Sequence, residues 1–158
     1  MNPVIQFFKD FFSNYLLMSA LSGWFIAQIV KTVICFFNKE KVGLSMLLFS
    51  NGGMPSSHSA TVTAMCTASF IQEGAASPVF AISLILAAVV MIDASGVRYE
   101  TGKQAQILNK ITKELFSGKP EEFNTGLKEL VGHTPFQVLV GAALGVVVAI
   151  GMSFAMKI

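Results

Sequence analysis

The sequence predicts an all-α integral membrane protein: a bundle of about four transmembrane helices, a short re-entrant or interfacial helix and a cytoplasmic amphipathic helix. Three observations lead there. The chain is 53% apolar and only 13% charged, against about 25% charged residues in a soluble domain. Its mean hydropathy is +0.64. Its apolar residues gather in four runs near the ~20 residues that a spanning helix needs, and nearly every charge falls between the runs. Such a composition excludes an ordinary soluble globule and a disordered chain. The net charge of +2, from 11 Lys+Arg against 9 Asp+Glu, argues for no nucleic-acid partner. All of 1–158 reads as a single transmembrane domain.

The N-terminal residues lead into an apolar run that continues to Phe37. That run is too long for the core of a cleaved signal peptide, so it reads as an anchor. The four expected spans are about 14–37, 57–72, 78–97 and 134–156. The second is the least hydrophobic, and its Ser, Ala and Thr residues suit close helix packing more than lipid contact, which puts it at the centre of the bundle. Gly141 and Gly145 in the fourth form a small-xxx-small pair that lets backbones approach, either within the chain or across a homodimer. Between the first two spans, Val42 to Phe49 is too short to cross and ends at Asn51-Gly-Gly-Met-Pro55, as a re-entrant or interfacial helix would.

After the third span, Leu108, Ile111, Leu115 and Phe116 recur at helical spacing while Lys103, Lys110, Lys113 and Glu114 take other faces. This predicts an amphipathic helix on the membrane surface. Gly118-Lys-Pro120 breaks it, and Phe123, Leu127 and Leu130 suggest a second short helix. With four spans, Lys39, Lys41, Arg98, Lys103, Lys110, Lys113, Lys119 and Lys128 share one face, and only Lys9 and Lys157 lie on the other. The excess of basic residues places the long loops in the cytoplasm of a plasma (inner) membrane protein. Cys35 and Cys66 sit in apolar runs and give no disulfide or metal signal.

Charged side chains inside a span cost ~2.5–3.5 kcal/mol on insertion scales and tend to mark a function or a buried pair. Lys31 and Asp93 are such residues, near the cytoplasmic ends of the first and third spans. They could snorkel or pair, but three motifs converge on the same face. Gly52-Gly-Met-Pro-Ser-Ser-His-Ser-Ala60 combines a flexible turn, cap candidates Ser56 and Ser57, and the first-turn amides of an incoming helix. That is an anion site, with Gly53 in its turn and His58 on its rim. Gly132-His-Thr-Pro-Phe-Gln137 places His133 just before a helix start. Asp93-Ala-Ser-Gly-Val-Arg98, followed by Lys103, offers a guanidinium fork and a point charge for phosphate, with a carboxylate to orient them. His58 and His133 are the only histidines. Two histidines among cations and amides suit phosphoryl transfer: one attacks, the other protonates the leaving group, and the cations stabilise the phosphoryl oxygens.

These three motifs together resemble the divergent integral-membrane family related to the type 2 phosphatidic acid phosphatases and vanadium-dependent haloperoxidases, over roughly residues 20–150. The resemblance implies an all-helical membrane fold and a phosphomonoester or pyrophosphate lipid as substrate. It makes His133 the nucleophile and His58 the general acid, with no cofactor and no metal. Asp93, or a carboxylate from the loop such as Glu129, would be the carboxylate of the catalytic set. Arg98, Lys103 and Lys31 would hold the phosphate with Gly53, Ser56 and Ser57. The sequence departs from the wider superfamily at Ser57, where glycine is the pattern, and at Gln137, where an orienting aspartate is. The superfamily's first motif, a lysine and an Arg-Pro ahead of the second, is missing, with Lys31 a candidate remnant. Two other readings stay open: a non-catalytic binder of anionic lipid headgroups, and a metal-dependent or proton-coupled protein built on His58, Asp93 and His133.

Overall fold

The computed structural model describes residues 2–38, 53–115, 126–127 and 132–158. The expected re-entrant helix at 42–49, the break at 118–120 and most of the short helix around 123–130 lie outside them, as do Lys39, Lys41, Lys119, Lys128 and Glu129. The described elements are all helical: α1 (Pro3–Ser13), α2 (Tyr15–Phe37), α3 (Ser57–Glu73), α4 (Pro78–Ser95), α5 (Val97–Leu115) and α6 (Pro135–Met156). Among the described residues, three stretches are long and apolar enough to cross a membrane: α2, α4 running on into α5, and α6; α3, the second expected span, has 17 residues and is not one of them. The protein is an all-α membrane protein.

Local chemistry sets the boundaries. Asn2, Asn14, Ser56, Ser77 and Thr134 each cap the helix that follows by accepting a first-turn amide, and Pro3, Pro78 and Pro135 open three of those helices. Asn14 marks the expected start of the first span, and a helix that the sequence reading did not give precedes it. The Asn14 side chain accepts from Leu17 N (3.0 Å) to start α2, while its own N–H closes α1 on Phe11 O (3.3 Å). The N-terminal residues therefore form a separate amphipathic helix with Phe7, Phe8 and Phe12 exposed. Gly74, at φ 79°, ends α3 in a conformation that favours glycine and turns the chain into α4.

The expected central position of the second span is met. At 17 residues, α3 packs against α2, α4 and α6, and its Ala60, Ala64 and Ala68 are fully buried. Glycines let the neighbours in. A side chain on Gly23 of α2 would collide with the Ala60 carbonyl, and one on Gly145 of α6 would collide with Thr63 and Ala60. The small-residue stripe of α6 thus packs inside the chain, against α3.

With little apolar area between such surfaces, hydroxyls supply ties across the helices. Thr63 Oγ1 donates to Ala142 O (3.2 Å), Tyr15 Oη donates to Ala149 O (2.8 Å), and the Ser69 and Ser83 hydroxyls meet at 2.7 Å. On the outer faces, Ile82, Ile85, Val89, Ile92, Leu139, Val147 and Phe154 are exposed, as lipid-facing residues are. The expected amphipathic helix is α5, whose Ile107, Leu108, Ile111 and Leu115 form an exposed apolar stripe. Asn109 pairs with both backbone groups of Leu127, at 2.9 Å each, and brings the following chain back to α5.

Candidate functional site

Three chain segments that enter or leave helices are pinned together at one end of the bundle. The Ser56 N–H donates to Gln137 O (3.2 Å), joining the start of α3 to the first turn of α6. Gly141 makes that approach feasible, because a side chain there would strike the Ser56 carbonyl. The His133 N–H donates to Ala94 O (3.0 Å), joining the approach to α6 to the end of α4. Gly132, one residue earlier, lies against the backbone of Arg98 and Tyr99, where any side chain would collide. The sequence motifs that carry the histidines are thus also the motifs that dock the helix ends.

The two imidazole rings come to 6.3 Å between centroids at an interplanar angle of 58°. His58 is exposed at the start of α3, within electrostatic reach of Arg98, Lys31 and Asp93. His133 is 2% exposed. Burial, and then the charge of Lys31, hold its pKa below the usual histidine value, against weaker opposing contributions from the Gln137 side chain and the Gly53 backbone. Its Nδ1 makes no hydrogen bond of good geometry among the described residues. Lys31 is 3% exposed, so it does not snorkel to water. Its Cγ and Cδ lie 3.7 and 3.9 Å from where a side chain on Gly53 would begin, and Gly53 itself sits at φ 81°. A side chain there would be strained, so the turn over the lysine requires glycine.

The remaining expected residues divide. Asp93 pairs with Arg98 rather than Lys31, Oδ2 to Nε at 2.5 Å, with both side chains partly exposed. Ser56 serves the fold: its N–H is taken by Gln137 O, and its hydroxyl accepts from Ser59 N (3.3 Å) and Ser59 Oγ (3.0 Å). The amides of Ser57 and His58 are the first-turn donors that this cap leaves over. Lys103 is bonded to Glu100 (3.0 Å) and lies over the Tyr99 ring, 4.5 Å from its centroid. It lines a cavity of about 220 Å³ with Gly53, Tyr99, Gln106, Thr134 and Gln137. Among the described residues, no three His, Cys, Asp or Glu side chains gather as a ligand set.

Gln137 has a role that sequence reasoning missed. It forms a capping box with Thr134: its Oε1 accepts from Thr134 N (3.0 Å), and its N–H donates to Thr134 Oγ1 (3.3 Å). The Thr-Pro-Phe-Gln spacing carries that signal. Tyr99 and Gln106 were also missed, and only their one-face spacing with Lys103 could have shown them.

The model of the Divergent PAP2 family matches residues 12–148. The chain belongs to that family. It is also 36% identical, over 155 residues, to the uncharacterized membrane protein YuiD of Bacillus subtilis (strain 168), covering 92% of this chain and 98% of that one. No solved structure matches the chain. The matched span contains both histidine motifs of this Divergent PAP2 member and the whole of its three-segment junction.

Proposed function

We propose that the protein is a membrane lipid phosphatase that hydrolyses a phosphomonoester or pyrophosphate of a lipid at the cytoplasmic face of the plasma membrane, by a histidine mechanism without metal. The observation that carries the reading is the pair of histidines, 6.3 Å apart, beside a helix start and a buried lysine. Kinship with the PAP2 group adds to it.

In this mechanism the neutral His133 attacks phosphorus. A nitrogen–phosphorus bond forms as the phosphorus–oxygen bond to the lipid breaks, and protonated His58 gives its proton to the departing oxygen. Water then attacks the phosphohistidine with His58 as base, which releases phosphate and restores both rings. The amides of Ser57 and His58, the turn at Gly53, and the cations of Lys31 and Arg98 stabilise the phosphoryl oxygens. Asp93 orients Arg98 for that task. The lipid tail enters between helices from the inner leaflet.

Purified protein should release inorganic phosphate from phosphatidate, phosphatidylglycerophosphate or a polyprenyl pyrophosphate. Release should be inhibited by vanadate and unaffected by chelator. Unchanged turnover after His133→Ala would remove the nucleophile from this scheme.

A second reading, a non-catalytic binder of anionic headgroups, is favoured by one observation. Gln137 brings no negative charge to His133, and its carbonyl oxygen is engaged by Thr134 N. Saturable binding of phosphate-bearing lipid without release across the same panel would decide for it.

A further inference from the structure

The cavity beside His133 has an unusual lining for so apolar a chain. Its walls are Gly53, Gly132, Thr134 and Gln137 on the histidine side, and Tyr99, Lys103 and Gln106 with Gly102 on α5. None of the described residues that line it is aliphatic, and the space is about 220 Å³. It also exceeds what one phosphoryl group fills. Residues 99, 103 and 106 follow the i, i+4, i+7 spacing of one helix face, and the buried Gly102 leaves room between them.

The chemistry of that face narrows the ligand. Lys103 has its charge answered by Glu100 at 3.0 Å, so the wall carries little net charge to attract a second phosphate. What it offers is a phenol hydroxyl, a primary amide and the Thr134 hydroxyl, donors and acceptors suited to alcohol groups.

We infer that the Tyr99, Lys103 and Gln106 face of α5 is a headgroup-reading subsite, which takes a small polyol unit lying between the reacting phosphate and the apolar part of the lipid. The inference rests on the reading of the histidine pair as the place where the phosphate sits. It makes Gln106 and Tyr99 specificity-determining residues.

The test uses the full chain in detergent, titrated calorimetrically with inorganic phosphate, glycerol 1-phosphate and inorganic pyrophosphate. Glycerol 1-phosphate should bind at least about tenfold more tightly than phosphate or pyrophosphate. Replacing Gln106 by Leu should collapse that ratio about tenfold, because a polar ligand group then meets no partner. Gln106→Asn should recover part of it. Gln106 is exposed, so these variants keep the fold. Equal affinities, tighter pyrophosphate, no binding of any probe, or an equal loss for all three in Gln106→Leu would overturn the subsite. Phosphate release separates the two claims. Selective binding without hydrolysis of any lipid overturns the phosphatase and keeps the subsite; hydrolysis without selectivity does the reverse.

Discussion

The starts of α3 and α6 use the same local code and reach opposite environments. Each has a hydroxyl cap, Ser56 or Thr134, and a histidine within two residues of it. His58 follows its cap, so it belongs to the first turn of α3 and stays exposed. His133 precedes its cap, so it lies outside α6 and is held under the turn at Gly53, with its N–H on Ala94 O. Three positions of difference in register therefore separate a side chain exposed on the first turn of α3 from one buried ahead of α6. In the proposed mechanism the buried His133 attacks and the exposed His58 gives the proton.

The largest expected effect comes from deleting the buried partner: His133→Ala should lower phosphate release by about 10³-fold or more, as loss of a nucleophile does. His58→Ala should cost about 10²–10⁴-fold on a lipid substrate, the usual contribution of a general acid. With a nitrophenyl phosphate ester the loss should be much smaller, because that leaving group needs no proton. Equal losses on both substrates would break the assignment of His58 as acid.

The pH profile sharpens the same contrast. The pKa of His133 is lowered in the folded protein, so the neutral form is favoured there, and the protein binds fewer protons than the unfolded chain below the usual histidine value of about 6.5. The stability from this residue is therefore complete above about pH 6.5 and declines as pH falls toward the depressed value. Thermal unfolding from pH 8 to 5 should follow that course, and His133→Asn should flatten it. Gln137→Glu, which keeps the capping geometry while adding a carboxylate, should raise the pKa of His133 by about one to three units and move any acid limb of activity upward.

The smallest effects test the docking of the helix ends. Gly141→Val should destabilise the bundle by about 1–3 kcal/mol through its collision with Ser56. Thr134→Ala should cost about 1 kcal/mol through the lost cap. Both are read as shifts in thermal unfolding.

Much of this was legible in the sequence because it depends on short-range chemistry. The helices in the four expected spans end within two residues of the expected boundaries, since Asn14, Ser56, Ser77-Pro78 and Thr134-Pro135 announce helix starts on their own. The small residues of α3 gave its central place for the same reason. The separate helix α1 was not read ahead of the first span, although Asn2-Pro3 carries the same cap-and-proline signal. The pairing of Asp93 with Arg98, the diversion of Lys103 to Glu100 and the engagement of Gln137 by its own helix depend on side-chain geometry that spacing alone leaves open. The α5 wall was equally hidden, because an interfacial helix shows its apolar stripe plainly while its polar face looks like any solvated surface.

The most direct test of the central claim is to trap the intermediate. Protein incubated with a lipid carrying a labelled terminal phosphate, then quenched and digested, should yield an acid-labile, base-stable phosphate on the peptide that contains His133, and none from His133→Ala. Steady release of phosphate with no label on that peptide, or an undiminished rate in His133→Ala, would contradict the account.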